Sequence, residues 1–105
     1  MDQQWMVFST KWFRESLASL PATEEVQQVL LAVVRRLELA PTNIPCLEGT
    51  QIRLLKTHVH RVGGRTFPAL RVFYFIDGLR VLLLWAEEYD EMDLDSDEEH
   101  LARFN

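Results

Sequence analysis

One cysteine in 105 residues means that no disulfide can form within the chain, so the fold must hold by packing alone. A reducing cytoplasm is the natural setting for such a sequence. Cys46 follows Pro45 in a loop-like stretch with no nucleophile motif around it, and it reads as a bystander. Long apolar runs are also missing. The longest, 81–86, is the size of a strand, against the roughly 20 residues that a membrane-spanning helix needs. The opening MDQQWMVF carries no basic residue and gives no secretory pattern, so no membrane partner is expected. No phosphate loop, dinucleotide fingerprint or triad arrangement appears, which argues against an ordinary metabolic enzyme. Internal repeats and linker-like stretches are absent, so residues 1–105 read as a single domain with one core.

What is present is a half-apolar chain, 10% aromatic, with the balance of a globular protein. Its charge is unevenly placed. Residues 1–86 carry ten Lys/Arg against seven Asp/Glu, a net of +3; residues 87–105 carry one Arg against nine Asp/Glu, a net of −8. The stretch from Arg53 to Arg80 holds six Arg/Lys and one Asp. A basic stretch followed at once by an acidic segment suggests a polyanion-binding face, or a cover for one.

Residues 5–8 read as a short first strand. Ser9 or Thr10 caps a helix in which Trp12, Phe13, Leu17 and Leu20 recur at helical spacing, and Pro21 ends it. Thr23 caps the next helix, with Glu24 and Glu25 in its first turn, where they suit the dipole. Val26, Val29, Leu30, Val33, Val34 and Leu37 then form the clearest amphipathic stripe in the chain, stopped by Pro41. After Gly49 the period becomes strand-like, and three strands are predicted at 52–62, 69–76 and 79–86. Gly63-Gly64 and Asp77-Gly78 supply the turns. The expected fold is α+β, in the order β-α-α-β-β-β, with an antiparallel twisted sheet and a helical hairpin packed on one face. Ser96 to Glu99 fits a capping box, and a short helix from about Asp97 is expected to present Leu101 and Phe104.

Alternation places Lys56, His58 and His60 together on one strand face, and Arg71, Phe73 and Phe75 together on the next strand. The last strand is apolar on both faces. Helices cover only one face, so the other calls for a second copy of the chain, a partner chain or the C-terminal segment. The His58/His60 pair is open to three readings: acid–base chemistry, a two-ligand metal site, or surface strand residues. No third ligand stands near, so no metal is expected. Trp5, Trp12 and Trp85 fall on apolar positions of different elements and read as core residues.

The topology and the run LRVFYFIDGLRVLLLW resemble the RelE/ParE superfamily of bacterial toxin–antitoxin toxins, in particular the HigB-like, phage-derived branch. RVFYFIDG matches that branch's Arg-aliphatic-aromatic-Tyr strand and acidic-Gly turn, and EEHLARF matches its C-terminal ending loosely. The resemblance covers nearly the whole chain by topology and about 35 residues by motif. It implies a cytoplasmic toxin bound by a cognate antitoxin, acting as a metal-independent, ribosome-dependent mRNA endoribonuclease with no cofactor. In the ParE branch the target is DNA gyrase. Carried over by position, Arg71 binds the scissile phosphate, and Lys56, His58 and His60 supply the acid, base and cation that cleavage needs. Tyr89 falls where a C-terminal Tyr or His is often found. Arg53, Arg61, Arg65 and Arg80 are the expected RNA contacts.

One departure runs against this pattern. Where the family continues with cations, this chain reads AEEYDEMDLDSDEE, and carboxylates repel phosphate. The alternative is a toxin-derived interaction module in which the acidic segment covers the former RNA-binding face.

Overall fold

The computed structural model describes residues 5–90 of the chain. Strand β1 (Met6–Ser9) leads into helix α1 (Lys11–Leu17) and helix α2 (Glu24–Leu39), and a 3-10 turn (Pro41–Asn43) follows. The remaining strands are β2 (Ile52–Lys56), β3 (His60–Val62), β4 (Arg65–Phe67), β5 (Leu70–Asp77) and β6 (Arg80–Glu88). The class is α+β, as the sequence predicts. The helix expected from residue 97, with Leu101 and Phe104, lies outside the described residues.

Thr10 and Thr23 are the two helix caps, accepting from the backbone N–H of Phe13 and Val26 at 3.2 Å each. The first helix is shorter than the periodicity suggests, closing at Leu17 instead of Leu20. There Ser16 turns its hydroxyl back onto the Phe13 carbonyl, 2.6 Å away. In α2 the buried residues are Val26, Val29, Val33 and Leu37, the inner edge of the predicted stripe.

The main sheet has the order β1-β6-β5-β2. β5 pairs antiparallel with both β2 and β6, while β1 runs parallel to β6 at the edge. The sheet is therefore mixed, not purely antiparallel. A strand followed by two helices and a return from the far end of the chain has the length that a parallel neighbour requires.

The predicted strand 52–62 is divided. It stays in the main sheet only to Lys56, and β3 then pairs with β4 in a separate two-stranded ribbon. Gly63 and Gly64, at φ 58° and 79°, form the two-residue turn that joins them. Glycine adopts two successive left-handed residues without strain, which suits the pair to this tight turn. The β5–β6 turn is shifted by one residue from expectation. Asp77 pairs with Arg80, so the central residues are Gly78 and Leu79, and only Gly78 has a positive φ, 62°.

β6 also carries a bulge. Phe73 pairs with Trp85 and Tyr74 with Leu83, leaving Leu84 as the extra residue. Simple alternation puts Trp85 with Leu83, but beyond the bulge the faces exchange. Leu55, Val72, Tyr74, Val81, Leu83 and Ala86 face the helices and form the main core with Phe13, Val33, Leu37 and Ile44. Leu54, Phe73, Trp85, Phe75 and Leu82 share the opposite, open face. Polar links tie the layer of helices and connecting turn to the sheet. Ser16 Oγ accepts from the Ala86 N–H at 2.9 Å, and Tyr74 Oη donates to the Pro41 carbonyl at 2.6 Å. Burial pushes the Tyr74 phenol up to about 12.

Candidate functional site

The division of strand 52–62 decides where the expected site residues fall. β2 is the outer strand of the main sheet, and the chain leaves it at Thr57 to build the projecting β3–β4 ribbon. Between that ribbon and α2 lies a cleft of about 580 Å³. Its floor is apolar, with Val29, Val33, Leu55 and Phe67. Lys56, His58 and His60 line the strand side, and Gln28 and Arg36 line the helix side. Lys56, His58 and His60 are all exposed. The ring of His60 stacks on Phe67, with centroids 4.7 Å apart and planes within 3°. Its Nδ1 lies 3.2 Å from the His58 carbonyl. In the tautomer whose Nδ1–H donates to that carbonyl, Nε2 carries the lone pair and can accept a proton. His58 and His60 thus meet on one rim where the chain passes through the irregular residues 57–59, not by alternation along one strand. No group of three or more His, Cys, Asp or Glu suited to a metal exists among the described residues.

Arg71 adjoins Lys56 of this rim but is buried. It lies in β5 opposite Lys56 on one side and Glu87 on the other. Its side chain is only 5% exposed, with Nε 3.6 Å from Glu87 Oε1. Its guanidinium lies over the Tyr89 ring, 4.7 Å from the centroid. Tyr89 Oη donates to the Thr57 carbonyl at 2.8 Å, and the Tyr89 N–H donates to the Ala69 carbonyl at 3.1 Å. Arg71 and Tyr89 are thus brought together. The carboxylate of Glu87 stands at the guanidinium where the resemblance puts a phosphate.

The four expected RNA-contacting arginines do not form one surface. Arg53 points to the helix side, where its Nη1 donates to the carbonyls of Ile44 and, at 3.4 Å, Thr42. Arg65 Nε donates to Glu25 Oε1 at 2.9 Å, and Nη2 stands 3.8 Å from Glu24. It therefore clamps the ribbon to the start of α2. This hydrogen bond holds the Glu25 carboxyl below its ordinary range. Arg80 pairs with Asp77 across the β5–β6 turn. Arg61 lies exposed on β3, opposite Thr66. Basic residues clustered in the sequence are thus dispersed over two faces and two ends.

Three further residues contribute: Gln28, Arg36 and Thr57. Gln28 and Arg36 belong to the i, i+4, i+8 row with Ala32 beside the buried stripe of α2, and that spacing was the available signal. Thr57 receives the Leu70 N–H on its hydroxyl at 2.8 Å and the Tyr89 hydroxyl on its carbonyl. No sequence motif marks it.

No family model matches the chain, and no curated protein matches it. Among solved structures it is similar to a chain in the toxin–antitoxin complex RelBE2 from Mycobacterium tuberculosis, with a TM-score of 0.54 and 23% identity. The match covers 83% of this chain and all of that one. The two chains share a fold. At this identity the likeness concerns the path of the backbone, and the functional residues must be argued from their own geometry. No helix among the described residues is long and apolar enough to cross a membrane.

Proposed function

We propose that the protein is the toxin of a type II toxin–antitoxin pair and cleaves RNA without a metal, working in the cytoplasm under control of a cognate antitoxin. The observation that carries this reading is the cleft rim, where Lys56, His58 and His60 lie exposed side by side with Arg36 across an apolar floor. Cleavage by the neighbouring ribose hydroxyl requires three services. A base takes the 2′-OH proton as that oxygen attacks phosphorus, a cation stabilises the charge on the phosphorane, and an acid protonates the departing 5′ oxygen. In this reading His60 serves as the base through Nε2, His58 as the acid and Lys56 as the cation. The products are a 2′,3′-cyclic phosphate and a 5′-hydroxyl. Arg36 and Arg61 are placed to hold flanking phosphates. The backbone likeness to a toxin–antitoxin chain supports the same reading.

The Arg71–Glu87 pair favours a second reading, in which the fold survives as an interaction module without catalysis. A guanidinium that is 5% exposed and faced by a carboxylate is poorly available to a phosphate. Adding the protein to a reconstituted translation system separates the two. Site-specific mRNA cleavage, lost in His58→Ala and His60→Ala, supports the endoribonuclease. Intact mRNA at a protein concentration that saturates ribosomes supports the module.

A further inference from the structure

The β3–β4 ribbon is a weak support by itself. Its two short strands share no ladder with the main sheet, and an isolated two-stranded hairpin is marginally stable in water. Its seat is α2, against which β4 packs. β4 supplies two anchors there. Phe67 is buried in a small cluster with Val26, Val29 and Leu70, and Arg65 reaches Glu25 and Glu24 in the first turn of α2. Thr66, between them, is exposed.

Both anchors lead to His60. Its imidazole is the cross-strand neighbour of Phe67 and stacks on that ring, and the guanidinium carbon of Arg65 lies over the same ring, 5.2 Å from its centre. An exposed side chain ordinarily hops between rotamers within nanoseconds. Here the stack sets the plane of the imidazole, and the His58 carbonyl sets its edge. A carbonyl oxygen only accepts, so in the neutral ring this bond places the proton on Nδ1 and the lone pair on Nε2.

We propose that Arg65 and Glu25 are positioning residues for His60. Their ion pair, 2.9 Å long, seats the ribbon on α2, and through Phe67 that seating holds the imidazole in one orientation and one tautomer at the cleft rim. The consequence for catalysis rests on the endoribonuclease reading, whereas the held ring is a property of the free protein.

Imidazole nitrogen resonances of the isotope-enriched full chain test it at about pH 8.5, above the ordinary histidine range. The His60 signals are those lost in His60→Gln. The expected result is a wide separation between a protonated Nδ1 and an unprotonated Nε2. Glu25→Gln and Arg65→Gln should each shrink that separation roughly twofold or more, and the double variant should go no further than Arg65→Gln, because both act through one ion pair. The pair is partly exposed, so its loss leaves the fold standing, with the core amides of Leu55 and Val72 unmoved. Glu15→Gln, which removes the exposed partner of Lys11 on α1, should leave the separation unchanged. Averaged nitrogens in the unaltered protein overturn the proposal. So do nitrogens that stay in place in both single variants, or that move as far in Glu15→Gln. RNA plays no part in this readout, so a held His60 in a chain that leaves mRNA intact sinks the nuclease reading alone.

Discussion

Arg71 and Glu87 meet on the open face of the sheet because β6 holds one residue more than β5 between them and the turn. Counting from Asp77 and Arg80, the extra residue is Leu84. With unbroken alternation Glu87 would point to the helices and Arg71 would keep an open outward path. The bulge turns Glu87 and Tyr89 toward the guanidinium, so a single inserted residue changes the charge state of the site.

Glu87→Gln should lower stability by about 1–3 kcal/mol, because a buried guanidinium is left with a neutral partner. Urea unfolding checks this. Arg71→Met in the same background should recover part of the loss, since no buried charge then remains. Equal losses that simply add would show that the two side chains are not coupled.

Deleting Leu84 should remove the bulge and leave Trp85 opposite Phe73, Ala86 opposite Val72 and Glu87 opposite Arg71, with every face kept. We expect a loss of only about 1–2 kcal/mol, from the half-buried Leu84 side chain, read from the urea midpoint. A loss of many kcal/mol would show that Leu84 is not the extra residue.

Ser16→Ala should cost about 1–3 kcal/mol, because the buried Ala86 N–H loses its acceptor. Thr10→Ala should cost roughly 1 kcal/mol, the usual loss of a helix cap. It also removes the 2.7 Å bond from the Thr10 hydroxyl to the Leu83 carbonyl, which fastens α1 to the strand just before the bulge. Thermal unfolding of the two single variants and the double variant measures both effects.

Stability should fall as pH rises between 10 and 12. The Tyr74 phenol ionises near 10 in the unfolded chain and at about 12 in the fold, where burial disfavours the anion. The unfolded state therefore loses its proton first, and its advantage grows until the folded phenol ionises too. Tyr74→Phe should flatten this part of the curve and cost roughly 1 kcal/mol at neutral pH through the lost bond to Pro41.

The elements themselves were legible because their signals are local. The α2 stripe ends at proline, two threonines cap helices, and glycines mark the two hairpins. Three features were hidden because each depends on partners distant in sequence. The parallel pairing of β1 with β6 joins the described chain's two ends. The departure of 57–59 from the sheet is made by Thr57, which looks like an ordinary strand residue and takes the Leu70 N–H on its side chain. The Leu84 bulge interrupts an apolar run that alternation cannot parse. Together they explain why His58 and His60 leave the main sheet for the cleft rim while Lys56 and Arg71 stay cross-strand neighbours.

The most direct test of the central claim is controlled expression of the full chain in bacteria that carry no partner for it, with growth and protein synthesis followed after induction. The account predicts arrest within one or two generations, with cell mRNA broken into fragments ending in 2′,3′-cyclic phosphate, and relief of both by His58→Ala and His60→Ala at equal protein levels. Undisturbed growth with intact mRNA, at a level where the folded protein is detected, would contradict it.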